Sequence, residues 1–246
     1  MNFFTLTKLG RTLLLAAVVA VGSVCWLGCG GDDESSSGGD DNGGNTTGGN
    51  STGGNNTGGG GIKYGTLTDS RDSKIYKTVK IGGQTWMAEN LNYDTADGTL
   101  SWCCENSADS CKKYGRLYTW NAAKTSCPRE WHLPTRDEWG ALAKAAGGTG
   151  DYGASGIAGK ALKSSSDWVD NGNGTNDFGF SALPGGFRGS EGSFDNPGYS
   201  SNWWTATEDS YSIGAYSRDM YYYYDDMFEN SVNKSIGFSV RCVKND

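Results

Sequence analysis

A single histidine, four prolines and, in residues 62–246, no Gly-x-Ser-x-Gly elbow are what this 246-residue chain has least of. His132 alone cannot supply the several imidazoles of a zinc centre, and the cysteines lack paired Cys-x-x-Cys spacing, so zinc is set aside. Without the elbow there is no hydrolase of the type that presents serine on a strained strand-to-helix turn. Long apolar runs are also missing. The longest, Leu13–Val21, is too short to cross a bilayer as a helix. Basic charge is in deficit: the chain carries a net −7, and residues 62–246 keep −4 once the two basic residues of the first 29 and the five acids of the next 32 are set aside. A mildly acidic domain argues against nucleic acid or anionic lipid as its partner.

What the first 61 residues do contain is an address. Lys8 and Arg11 precede the apolar run, whose length suits the h-region of a signal peptide. Leu27-Gly28-Cys29 resembles the bacterial lipobox, in which the cysteine is lipidated, although Trp26 stands where leucine is usual. Residues 1–29 are therefore expected to be a lipoprotein signal peptide, with Cys29 as the lipidation site. Residues 30–61 are almost wholly Gly, Ser, Asn, Thr and Asp. They have no apolar surface to offset chain entropy and are expected to form a disordered linker reaching about 30 Å root-mean-square. The Asp32-Asp33-Glu34 cluster resembles acidic surface-export signals of some Gram-negative lipoproteins and reads equally well as a solvating charge run. Asn45, Asn50 and Asn55 each open an Asn-x-Ser/Thr pattern, which a linker of this composition makes by chance. The expected location is the outer membrane, at the cell surface, with lipid as the sole membrane contact.

Residues 62–246 have the length of one domain with a real core. Nine tryptophans and thirteen tyrosines exceed what a single core usually needs, so some are expected at the surface. Five cysteines fall here, an odd count, and export would place them where disulfides persist. Either Cys103 or Cys104 can close a short loop with Cys111. Joining Cys127 to Cys242 would close more than a hundred residues, worth roughly 4–5 kcal/mol by chain entropy. The assignment taken is Cys103–Cys111 and Cys127–Cys242 with Cys104 left over, although spacing alone does not fix connectivity.

Ile75–Ile81 alternates, Gly82-Gly83 supplies a two-residue turn, and Gln84–Leu91 returns, which predicts a hairpin. Asp94–Ser110 reads as a polar loop and Tyr114–Lys124 as a helix. Thr135-Arg136-Asp137-Glu138 is a capping box, and Trp139, Leu142, Ala143 and Ala146 recur on one helical face before Gly147-Gly148 ends it. A shorter helix is expected over Ile157–Ser164. Phe178–Leu183, Trp203–Thr207, Ala215–Tyr224 and Ile236–Val243 are strand candidates. In the last, Ile236, Phe238, Val240 and Cys242 share one face, which points Cys242 inward. Helices between strands at both ends predict an α+β domain of small antiparallel sheets, with the first hairpin and last strand paired centrally.

Six segments carry a family resemblance: Ile81-Gly82-Gly83-Gln84-Thr85-Trp86-Met87-Ala88-Glu89-Asn90-Leu91, Tyr114-Gly115-Arg116-Leu117-Tyr118-Thr119-Trp120, Trp131-His132-Leu133-Pro134-Thr135-Arg136-Asp137-Glu138-Trp139, Gly179-Phe180-Ser181-Ala182-Leu183-Pro184-Gly185-Gly186-Phe187-Arg188, Trp203-Trp204-Thr205-Ala206-Thr207-Glu208 and Gly237-Phe238-Ser239-Val240-Arg241-Cys242-Val243. In this order they resemble the Fibrobacter succinogenes major paralogous domain, over essentially all of Gly65–Lys244. The Leu-Pro-Thr-x-x-Glu-Trp and Gly-Phe-x-x-Arg stretches also resemble the wider group of C-type-lectin-like and formylglycine-generating-enzyme-like folds. That resemblance implies paired terminal strands and a long-range disulfide to the last strand, which supports Cys127–Cys242. It also implies that Cys104, where the family commonly has an aromatic, is the odd thiol. Formylglycine-generating enzymes use a reactive cysteine pair in the C-terminal part of the fold, where this chain has only Cys242.

The remaining chemistry points to binding rather than turnover. His132 reads as a hydrogen-bonding residue at a helix start. The acid pairs Glu208-Asp209 and Asp225-Asp226 are of the kind glycosidases need, yet adjacent acids are common in turns. Asp170, Asn173 and Asp177 lie in a Gly/Asn run of oxygen ligands that suits calcium, though the spacing is not that of an EF-hand. Trp203, Trp204, Tyr222 and Tyr224 are the expected ligand-binding residues, because sugar C–H faces stack on aromatic rings. The expectation is a non-catalytic adhesion module for polysaccharide or a surface protein, with calcium as a possible cofactor. A structural part of an envelope assembly and a divergent enzyme are the alternatives.

Overall fold

Strand β1 (Tyr64–Thr68), β2 (Ile75–Ile81) and β3 (Gln84–Met87) form an antiparallel meander, with Gly82 at φ +59° in the hairpin turn. The computed structural model describes residues 61–95, 100–211 and 213–246, all within one compact unit, Asn56–Asp246. The expected leader, its Cys29, and the linker apart from Gly61 lie outside the described residues. Alternation along β2 works as read, but both faces are covered. Val79 and Ile81 enter one apolar cluster and Tyr76 enters the other, leaving Ile75 exposed.

The stretch read as a polar loop contains β4 (Ser101–Cys103) and the first turn of α1 (Ala108–Tyr114), and the Cys103–Cys111 disulfide joins the two elements. The helix expected over 114–124 is interrupted. Gly115 sits at φ +75°, where a Cβ would lie 2.8 Å from the Leu91 carbonyl oxygen. Arg116 N–H then donates to Leu91 and Tyr118 N–H to Phe238, which draws the chain into β5 (Arg116–Tyr118). Backbone pairing outcompetes the helical spacing here. Helix α2 (Trp120–Ser126) starts afterwards, with Thr119 as its N-cap.

Strand β6 (Trp131–His132) leads to α3 (Arg136–Ala145), whose capping box forms as expected: Thr135 Oγ1 accepts from Glu138 N–H at 3.2 Å and Glu138 Oε2 accepts from Thr135 N–H at 2.7 Å. Trp139, Leu142, Ala143 and Ala146 are buried together. A small ribbon of β7 (Gly148–Thr149) and β8 (Ser155–Gly156) precedes α4 (Ala158–Leu162). The expected strand at 178–183 does not form. Ser181 adopts φ +54° and is held on both sides by the Asn176 amide, so Phe180 is buried from a turn.

The ribbon of β9 (Phe187–Arg188) and β10 (Phe194–Asp195) is followed by a three-stranded antiparallel sheet of β11 (Ser200–Glu208), β12 (Gly214–Tyr221) and β13 (Phe228–Asn233). Only β14 (Val243–Lys244) of the last expected strand is regular; it sits between β3 and β6, so the five-stranded order is β1-β2-β3-β14-β6. The two chain ends of the domain therefore do pair centrally. Phe238, Val240 and Cys242 share one buried face, and Cys242 bonds Cys127 across 115 residues. The whole is α+β, with small antiparallel sheets, four α-helices among the described residues and two disulfides.

Candidate functional site

Five of the six motifs meet in one buried polar hub. Asn90 Oδ1 accepts from Trp203 Nε1 at 2.9 Å and from Arg241 Nε at 2.6 Å, while Asn90 Nδ2 donates to the Tyr114 carbonyl at 2.8 Å. Arg241 also donates to the carbonyls of Met87 (3.2 Å), Phe180 (2.5 Å) and Ser181 (3.0 Å), and its guanidinium lies 4.3 Å from the Phe180 ring centre. Every one of these hydrogen-bonded partners is a neutral oxygen. Burial pushes the Arg241 guanidinium down to about 9, against the opposing pull of the Glu89 charge. A fully buried arginine was not foreseen. Its place opposite Cys242 on the alternating strand was visible, but only the tertiary structure covers that face as well.

Trp203 and Trp204 are not available to a ligand, which corrects the expectation that they bind one. Both are 0% exposed. Trp203 stacks among Trp139 and Phe180 at ring separations of 6.0 and 6.3 Å, and Trp204 lies 4.7 Å from Phe238 and donates Nε1–H to the Tyr118 carbonyl at 2.8 Å. A buried indole is stable when its N–H finds such a partner. Among the described residues the exposed aromatics are tyrosines.

Tyr222 and Tyr224 lie instead in the turn after β12, so the strand alternation read for them does not apply. Tyr223 and Tyr224 are 61% and 43% exposed, and Tyr199 beside them 47%. Ring centres step from Tyr199 to Tyr222 (5.5 Å), Tyr222 to Tyr223 (4.7 Å) and Tyr223 to Tyr224 (4.3 Å), with Phe228 closing on Tyr224 at 5.0 Å. A hollow of about 240 Å³ opens between Asn196, Tyr199 and Tyr221–Tyr223.

The turn is built on a buried cation. Lys163 follows α4 and is 2% exposed; its Nζ donates to the carbonyls of Tyr221 (2.5 Å) and Tyr224 (2.7 Å), with Tyr222 at 3.4 Å and Gly172 at 3.5 Å. Burial pushes this ammonium down to about 8, while Asp225 pulls the other way. The helix start clamps the far side: Lys160 N–H donates to the Asp225 carbonyl and Gly156 N–H to Asp226 Oδ1 at 2.6 Å. Gly172 lies under the turn, where a Cβ would sit 2.5 Å from the Tyr222 carbonyl oxygen. The Gly/Asn run thus supports the tyrosines by close backbone approach. Within it Asp170 and Asp177 are exposed, and Asn173 Oδ1 accepts from Trp168 N–H at 3.0 Å.

The remaining titratable candidates are engaged locally. His132 bridges Asn245 Oδ1 (2.6 Å) and Glu138 Oε1 (2.8 Å) at the start of α3. Glu208 pairs with Lys234, Asp209 accepts from Ser231 at 2.8 Å, and Asp225 lies 3.7 Å from Lys160. The Cys104 thiol is buried and free, and burial, helped by the Glu105 charge, pushes it up to about 11.

A family model described as the Fibrobacter succinogenes major domain matches residues 79–244. No curated protein and no solved structure matches the chain.

Proposed function

The chain belongs to the Fibrobacter succinogenes major domain family, and from that premise we propose that it is a non-catalytic binding module of C-type-lectin-like fold. It stands at the outer membrane on a lipid at Cys29 and the 30–61 linker, and holds polysaccharide or a neighbouring surface protein. The pairing of the domain's two ends and the disulfide from the end of α2 to the last strand support the fold reading. The observation that carries the function is the exposed tyrosine turn, Tyr199 with Tyr222–Tyr224, fastened from beneath by Lys163. Such a turn offers apolar ring faces and phenolic hydroxyls at small ordering cost, which suits a sugar ring or a protein surface.

The test is depletion of the purified domain on insoluble cellulose and xylan, with and without EDTA. The wild type is retained on at least one material, and Tyr223→Ala/Tyr224→Ala loses retention at least tenfold while keeping its unfolding midpoint. Equal retention of that variant refutes the tyrosine turn as the site. Loss of retention in EDTA would bring calcium, and Asp170, Asn173 and Asp177, into the site. Release of soluble sugar during incubation would refute the non-catalytic reading.

A further inference from the structure

A cleft of about 450 Å³, sharing no lining residue with the hollow at the tyrosine turn, borders the Asn90–Arg241 hub. That volume falls in the range of small-molecule sites. Its charge is unlike the rest of the acidic domain: Lys74, Lys77, Lys112 and Lys113 line it against a single carboxylate, Glu89. Lys74 is paired with Asp72 at 2.9 Å and Lys113 with Asp167 at 2.5 Å. Lys77 and Lys112 are exposed and have no carboxylate ion pair among the described residues. Glu89 Oε2 is turned toward β2, accepting from Lys77 N–H at 2.6 Å.

The cleft wall also includes Asn90 and Ser181, and both touch Arg241 from the inside: Nε donates to Asn90 Oδ1 and Nη2 to the Ser181 carbonyl. A positive charge with only neutral hydrogen-bond partners therefore lies directly behind the wall. In a concave, low-dielectric site such a charge is screened poorly and adds to the field of the rim lysines. Hydroxyls and amides come from Ser164–Ser166, Asn92 and Asn176, and Tyr64, Ile75, Ala88 and Leu183 add apolar surface against which a sugar ring face can lie. Ammonium groups select an anion; hydroxyls and amides around them select a polyol.

We infer that this cleft is a second binding site, for a carboxylate-bearing saccharide of the uronate class. It is distinct from the tyrosine turn and does not depend on it. The rim lysines Lys77 and Lys112 take the carboxylate, Ser165, Ser166 and Glu89 take ring hydroxyls, and the Arg241 charge biases the cleft toward anions.

Titration calorimetry on the intact domain tests this, using trigalacturonate, neutral xylotriose and inorganic phosphate at low salt. Trigalacturonate is expected to bind at least tenfold more tightly than either other probe, and to weaken at least fivefold between 50 and 500 mM NaCl, as rim ion pairs do. Lys77→Gln/Lys112→Gln should lose at least tenfold in affinity with the unfolding midpoint unchanged, because both side chains are exposed. Tyr223→Ala/Tyr224→Ala should bind trigalacturonate as the wild type does, so failure of one site is distinguishable from failure of the other. Equal binding of xylotriose, phosphate binding as tight as trigalacturonate, or an unaffected lysine variant overturns the proposal.

Discussion

Removing the two disulfides one at a time separates their contributions by loop length. Cys127–Cys242 closes 115 residues and Cys103–Cys111 closes eight. The loop-closure entropy each bridge withholds from the unfolded chain is about 4.8 kcal/mol for the long bridge and about 2.5 kcal/mol for the short one. At about 2–4 °C per kcal/mol for a domain of this size, Cys127→Ala/Cys242→Ala should melt roughly 10–20 °C below wild type and Cys103→Ala/Cys111→Ala roughly 5–10 °C below. Cys242 is fully buried, so truncating it leaves a small void that widens the gap in the same direction. The assay is thermal unfolding by circular dichroism under non-oxidising, metal-free conditions, with wild type measured in both redox states. Reduced wild type, with both bridges open, should melt below the Cys103→Ala/Cys111→Ala variant. Equal losses, or a greater loss from the short clip, would refute chain entropy as the source of the difference.

Trp203→Ala should destabilise the domain by about 3–5 kcal/mol, because a fully buried indole and its bond to Asn90 are lost, whereas Tyr223→Ala should stay within about 0.5 kcal/mol; urea titration compares them, and similar losses would contradict the burial assignment. Thr135→Ala removes the N-cap of α3 and should cost about 1 kcal/mol, read in the same titration. Burial alone would raise the Glu138 carboxyl, yet hydrogen bonds from Thr135 and His132 hold it below its ordinary 4.5. Its contribution is therefore present above about pH 4.5 and lost as pH falls through the lower folded-state value. Glu138→Gln should flatten that part of the acid limb of a stability–pH curve; an unchanged slope would refute the capping role of the charge.

Legibility in the sequence followed the range of the interactions. The hairpin at Gly82, the capping box of α3 and its apolar face depend on residues within a turn or two of each other, and they stand where periodicity put them. Of Tyr114–Lys124 only the second half is helical, because Gly115 and pairing of Arg116–Tyr118 with Leu91 and Phe238, distant in sequence, take the first half into a strand. The 178–183 strand failed because Asn176 and Ser181 make a turn whose propensity is weaker than the hydrophobic run suggests. In the candidate site, aromatic enrichment after residue 199 was visible, but tryptophan and tyrosine could not be told apart by position. Trp203 and Trp204 went inside because Asn90 and the Tyr118 carbonyl accept their N–H groups, and those acceptors come from the other half of the domain.

Composition and local pattern were enough for the class of fold, the hairpin at Gly82 and the capped helix α3, which follow from short-range geometry, and the regularity of the first hairpin and last strand pointed to the pairing of the domain ends. The disulfide pairing leaned also on the family resemblance, because spacing alone leaves connectivity open. The Arg241 hub, the Lys163 cage and the lysine-rimmed cleft came only with the folded chain. Lys163 meets the Tyr224 carbonyl across 61 residues and Arg241 meets Asn90 across 151, and a buried charge is tolerable only where distant carbonyls and amides arrive to meet it.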